Sequence, residues 1–164
     1  MQGRAGDVEH REFLDVTGAD PVRPAAEALI DALGRSGPIF EYTDYEGRTI
    51  EGMIRACPDL EAPLRAIRER LVDLHPVTKA AYYHRDMRGS WSIKAVLPTI
   101  APDLDYANLG EIQDGNAAGE AYEVLADPAT DPARRAVLDR DLRAYCKRDT
   151  EGLMRLAGFL QGLR

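Results

Sequence analysis

Apolar residues recur along this chain at helical spacing, interrupted by short apolar runs, the pattern of a helix-rich α/β domain. Ala26, Leu29, Ile30 and Leu33 mark one face of a first helix, with Asp20 placed to cap it, Pro21 to open it and Gly34 to end it. The run Pro38-Ile39-Phe40-Glu41-Tyr42, set between Gly37 and a polar stretch, reads as a strand. Ile50, Met53, Ile54 and Cys57 form the next helical stripe, stopped by Pro58. Leu64, Ile67, Leu71 and Leu74 continue at helical spacing, so a third helix is expected up to His75-Pro76. Weaker strand signals fall at residues 9–14 and 81–84.

Further along, residues 86–89 read as a turn. Ser90 or Ser92 is placed to cap a short helix through Ile93, Val96 and Leu97 that Pro98 ends. A helix around residues 117–125 follows a loop rich in Asp, Pro and Asn. In the last helix Leu138, Leu142, Tyr145 and Asp149 share one face, and Leu153, Leu156 and Leu160 extend it. No internal repeat or low-complexity segment is visible. The 164 residues read as a single domain, 1–164.

No apolar run approaches the roughly 20 residues that span a bilayer. The first residues lack the apolar core of a secretory signal, so a cytoplasmic protein with Cys57 and Cys146 reduced is expected. The net charge of −7 excludes a protein that coats nucleic acid by charge alone. It leaves open an enzyme acting on nucleic acid, because carboxylate-rich metal sites themselves raise the acidic count. The three histidines and two cysteines have no zinc-ligand spacing, and no Walker-type glycine loop is present.

Two segments carry candidate chemistry. In Tyr145-Cys146-Lys147-Arg148-Asp149 a phenol and a carboxylate four residues apart project side by side from a helix. Such a carboxylate can hold a divalent ion while the phenol positions or helps activate an attacking water. A core tyrosine beside a solvated aspartate is the plainer reading. In Tyr42-Thr43-Asp44-Tyr45-Glu46 a carboxylate stands where a strand ends and a helix begins, a place that commonly faces a cleft. Capping of that helix by Asp44 or Glu46 is the plainer alternative. Lys147 and Arg148 are placed to lower the Cys146 thiol pKa, although an inert thiol is favoured. Lys94 and Arg88, with Arg85, flank Trp91 and are candidates to meet a nucleic-acid backbone beside a stacked base. A solvated loop around a core tryptophan is the simpler account.

Read in order, the strand with Tyr45-Glu46, Gly89-Ser90-Trp91-Ser92-Ile93-Lys94-Ala95-Val96-Leu97-Pro98, Glu111-Ile112-Gln113-Asp114-Gly115 and Tyr145-Cys146-Lys147-Arg148-Asp149-Thr150 resemble an uncharacterised bacterial domain family. That family's fold is ribonuclease H-like and related to the DEDD 3′–5′ exonucleases, and the resemblance runs from about residue 10 to 160. It implies metal-dependent phosphodiester hydrolysis with Mg²⁺ or Mn²⁺. Glu46 would be the second-motif acid (Asp44 the alternative), Tyr145 the water-positioning phenol and Asp149 the third-motif ligand. Glu46 and Asp149 would then hold metal, and single-stranded nucleic acid would be the partner.

The family's first motif, Asp-x-Glu on an apolar strand, has no clear counterpart. Asp7-Val8-Glu9, Asp44-Tyr45-Glu46 and Asp59-Leu60-Glu61 match the letters, three hits that show how common the pattern is in an acidic sequence, and Asp7-Val8-Glu9 has no apolar run before it. The chain therefore reads as the C-terminal part of a ribonuclease H-like domain lacking the first strands of its sheet, and weakly active or inactive. A homo-oligomer or a longer chain would supply the missing segment, since an incomplete sheet exposes edges. The alternative is a non-catalytic nucleic-acid-binding or protein-interaction module derived from such a nuclease.

Overall fold

Asp20 accepts a hydrogen bond from the Val22 amide at 3.0 Å and starts α1, Val22–Leu33, one residue later than a proline-first helix would begin. A computed structural model describes residues 8–104, 110–112 and 114–162. After Gly34, at φ 55°, the chain enters β1, Ile39–Glu41, and then α2, Tyr45–Ala56. A 3₁₀ turn at Pro58–Leu60 leads to α3, Glu61–Arg68.

Here the structure departs from the expected third helix. The stripe Leu64, Ile67, Leu71 and Leu74 crosses two helices and a strand: β2, Leu71–Asp73, intervenes before α4, Leu74–Ala81. Long-range bonds decide the break. β2 pairs in parallel with β1 in the register Ile39↔Leu71, Phe40↔Val72, Glu41↔Asp73. The Arg70 guanidinium donates to the carbonyls of Leu33 and Gly34 at 2.9 and 3.1 Å, closing the end of α1. Periodicity within one segment cannot report such a partner. Pro76 lies in the first turn of α4, where a missing amide costs nothing, so it does not close a helix.

Residues 9–14 and 81–84 are not strands. The first segment instead packs Leu14 and Val16 against the core, and the Tyr122 hydroxyl donates to the Asp15 carbonyl at 3.0 Å. Tyr82 ends α4, and its carbonyl accepts the Trp91 indole N–H at 3.1 Å. A 3₁₀ turn at Arg85–Met87 precedes α5, Ile93–Ile100, which continues past Pro98 rather than stopping there. Asp114 accepts the Ala117 amide at 2.9 Å and opens α6, Gly115–Ala126. The last helix, α7, Pro132–Gly162, is 31 residues long. The fold is thus helix-rich α/β with a two-stranded parallel sheet. Among the described residues no helix is long and apolar enough to cross a membrane.

Three buried clusters form the core. Ala26, Ile50, Ile54, Leu64 and Ile67 join α1, α2 and α3. Leu74, Met87, Val96, Leu97, Leu156 and Ala157 join α4 and α5 to the C-terminal half of α7, with Phe40 and Tyr42 against them. Ile112, Ala121, Leu125, Leu138, Leu142 and Tyr145 join α6 to the N-terminal half of α7. Helix α7 therefore passes from one cluster to the next, with Tyr145 and Asp149 near the crossing.

Just beyond, Gly152 lets α5 approach closely. A Cβ there would lie 2.4 Å from Leu97 Cδ1, and Leu97 has no exposure into which to retreat. Gly152→Ala is expected to lower unfolding stability by about 1–2 kcal/mol, because the clash outweighs the gain of about 1 kcal/mol in helix propensity. Urea denaturation measures it, and a variant as stable as the parent would show that the contact is not tight.

Candidate functional site

The parallel register sets Glu41 beside Asp73 at the C-terminal ends of the two strands. Asp73 organises the turn above them. Its Oδ1 accepts the His75 amide at 2.8 Å, capping α4, and the Thr43 amide at 2.9 Å. The second bond holds Thr43 at φ 68°, a conformation that β-branched residues rarely adopt. The strained turn delivers the chain into α2, with Glu46 in its first turn. The Gly47 amide donates to Glu41 Oε2 at 3.1 Å. A Cβ on Gly47 would lie 2.5 Å from Asp44 Oδ1, so glycine allows the turn to fold this tightly. Asp44 occupies the N-cap position of α2 without making a side-chain cap bond.

The carboxylates crowd one another. Glu41 is buried, and loss of water raises its pKa above the ordinary 4.5. The Gly47 bond opposes that rise, whereas the charges of Asp44 and Asp73 add to it. Glu46 is open to solvent on one side, yet its carboxyl is also raised. Desolvation is the main cause, and the negative charges of Glu41, Asp149 and Asp73 reinforce it. Glu46 and Asp149, distant in sequence, therefore lie within one another's field.

On α7 the buried Tyr145 lies one helical turn from Asp149, the neighbour expected of residues four apart, and the carboxylate acts on the phenol. Burial first, then the adjacent Asp149 carboxylate, pushes the phenol far above its ordinary range. Tyr145 is consequently a neutral hydrogen-bonding group at physiological pH. It can position a water but cannot deprotonate one, which narrows the role expected of it. Lys94, in the first turn of α5, stands 5.6 Å from the Tyr145 ring centroid and brings positive charge to the same place.

The other sequence-predicted residues are less closely joined to these acids. Trp91 is partly buried, packs on the α4–α5–α7 cluster and meets Tyr83 at 5.6 Å between ring centroids. Arg88 is exposed in a left-handed turn at φ 50°, and its guanidinium makes no ion pair among the described residues. The Cys146 thiol is raised, not lowered, though the residue is exposed: desolvation comes first and the Asp149 charge adds to it, while Arg148 is drawn towards the Asp103 carbonyl at 3.4 Å. Of Asp7-Val8-Glu9, Asp7 lies outside the described residues, as does Gln113 of the Ile-Gln-Asp-Gly segment. Glu41 and Asp73 went unnoticed in the sequence. A carboxylate inside Ile39-Phe40-Glu41-Tyr42 was the available signal for the first. Asp73 sits before a proline-containing first turn, a cap signal hidden by reading one continuous helix.

Among the described residues no group of three His, Cys, Asp or Glu side chains could hold a metal ion. Glu46 and Asp149 offer a hard divalent cation two carboxylates. Two such ligands fall short of the several oxygens that each hard divalent ion of a two-ion centre takes.

The family profile described as a domain of unknown function (DUF2779) matches residues 1–92. The chain belongs to this family, and the matched part contains Glu41, Glu46 and Asp73, while Tyr145 and Asp149 lie beyond it. No curated protein and no solved structure matches the chain.

The raised pKa of Glu41 has a definite sign. The stability it contributes is fully present below its ordinary value of 4.5 and is lost as pH rises through the higher folded value. Glu41→Gln keeps an oxygen for the Gly47 amide and offers an N–H to Asp73. It is expected to raise the melting temperature at pH 7.5 and to flatten the decline above pH 4.5. Thermal melts across that range check this, and a lower melting temperature at pH 7.5 would mean that the charge itself is needed.

Proposed function

We propose that this domain is a metal-dependent nuclease-like module, related to ribonuclease H-like DEDD 3′–5′ exonucleases, that hydrolyses phosphodiester bonds weakly. The observation that carries the reading is the convergence of Tyr145 and Asp149 on α7 with Glu46 of α2, each within the field of the Asp149 carboxylate. A pair of acids brought together from α2 and α7 at a cost in repulsion is typical of groups kept for cation binding rather than for stability.

A bound Mg²⁺ or Mn²⁺ would supply an acidified water and neutralise charge on the phosphate. The protein's own groups divide the remaining work. Glu46 and Asp149 would hold the ion. Tyr145 stays neutral, fixes the Asp149 carboxylate and offers its oxygen to orient the attacking water. Lys94 adds positive charge for a phosphate of a single-stranded DNA or RNA substrate. Further carboxylates from a second copy or another segment would complete a two-ion centre.

The absence of a three-ligand group among the described residues favours a second reading, a non-catalytic binding module descended from such a nuclease. A cleavage assay separates the two. With 5′-labelled single-stranded DNA or RNA and Mn²⁺, the parent is expected to shorten the strand slowly and stepwise. Asp149→Ala should abolish the activity, and Tyr145→Phe should lower it by about 10- to 100-fold, the scale of losing a positioned hydrogen-bonding group. No shortening by the parent would exclude the catalytic reading for this chain alone.

A further inference from the structure

A groove of about 430 Å³ opens beside the carboxylates, lined by Tyr42, Thr43, His75, Lys79, Trp91 and Ser92. Its walls carry no carboxylate, in contrast to the acidic cluster next to it. Thr43 and His75 are the two residues whose amides Asp73 holds, so the groove and the cluster share one scaffold. The walls are fixed. The Tyr42 hydroxyl donates to the Trp91 carbonyl, and the Tyr42 ring meets the His75 ring edge-on at 5.3 Å. The indole N–H is tied to the Tyr82 carbonyl. Lys79 is exposed, forms no ion pair among the described residues, and has its ammonium 5.7 Å from the Trp91 ring centroid. A lysine resting on an aromatic face is held in place without having its charge neutralised. In a chain of net charge −7, the Lys79 ammonium stands with three hydroxyls and an imidazole in a groove whose lining side chains include no carboxylate.

We propose that this groove binds a backbone phosphate of the single-stranded nucleic acid, next to the phosphate presented to Glu46 and Asp149. The inference rests on the nuclease reading for its choice of ligand. Lys79 supplies the charge, while Thr43, Ser92 and His75 supply hydrogen bonds to the phosphate oxygens. One strand then lies along a strip with Lys79 at one end and Lys94, on the neighbouring turn of α5, at the other. The groove accepts the phosphate and sugar edge, and Lys79 covers a face of Trp91. Binding through this groove therefore does not depend on base identity.

Fluorescence anisotropy with a 5′-fluorescein oligothymidylate, in EDTA so that nothing is cleaved, reads the groove separately from the chemistry. Titrations from about 20 to 200 mM NaCl should show log affinity falling linearly with log salt. Lys79→Ala should weaken binding about five- to tenfold at the low-salt end and reduce the slope by about 0.7, the value for one lost phosphate contact on a single strand. Lys79→Arg should retain both. Arg55→Ala, an exposed change of the same charge elsewhere, should leave the slope unchanged. Lys79 is exposed, so its loss does not threaten folding, and far-ultraviolet circular dichroism confirms that. Equal slopes for the parent and Lys79→Ala, equal losses for Lys79→Ala and Arg55→Ala, or no salt-dependent binding by the parent would each overturn the proposal. Lys79-dependent binding without cleavage in Mn²⁺ would retain the groove and discard the nuclease reading. Cleavage with no effect of Lys79 would do the reverse.

Discussion

One oxygen of Asp73 does more to shape this molecule than any other polar atom near the acidic cluster. By accepting the amides of Thr43 and His75, it ties the turn after β1 to the start of α4. A net contribution of about 1–2 kcal/mol is ordinary for such a charge-assisted pair, but its geometric consequence is larger. Thr43 is held in a left-handed conformation, α2 begins within two residues, and Glu46 is turned towards α7. The same bonds place the Tyr42 and His75 rings in a T-shaped contact in the wall of the adjacent groove. The parallel register of two three-residue strands puts Asp73 where it can do this.

The acidic cluster works against stability and the surrounding core compensates. Glu41 and Glu46 both have raised pKa values, chiefly through desolvation, with the charges of Asp44 and Asp73 adding to the first and those of Glu41, Asp149 and Asp73 to the second. The opposing forces are the buried clusters around them, above all the contact of α5 with α7 at Leu97 and Gly152. Helix α7 carries Tyr145 as part of one cluster and reaches Leu156 in the next, so the Tyr145–Asp149 pair sits on a segment anchored at both ends. Packing at both ends fixes where the Tyr145 phenol and the Asp149 carboxylate stand relative to α2.

Much of this was legible in the sequence, for identifiable reasons. The helices α1, α2, α5, α6 and α7 announced themselves through stripes, capping residues and prolines, and β1 through its short apolar run. The pairing of Tyr145 with Asp149 followed from spacing alone, since residues four apart on a helix must meet. What was illegible depended on partners far away in the chain. Leu71 and Leu74 fit a helical stripe, and only the bonds to β1 make Leu71–Asp73 a strand. Residues 9–14, with Phe13 and Leu14 beside polar neighbours, look like a strand but run as an irregular segment into Asp15, whose carbonyl accepts the Tyr122 hydroxyl. Glu41 was invisible as a site residue because its significance lies in what Gly47, Asp44 and Asp73 place around it.

Titration of Mn²⁺, followed by electron paramagnetic resonance of the free ion, tests the central claim most directly. If Glu46 and Asp149 form one cation site, the parent should bind a single Mn²⁺ per chain with a dissociation constant on the order of 0.1–1 mM. Asp149→Asn and Glu46→Gln should each abolish that binding while the fold persists. Binding that survives both substitutions, or tight uptake of two ions per chain, would contradict the account.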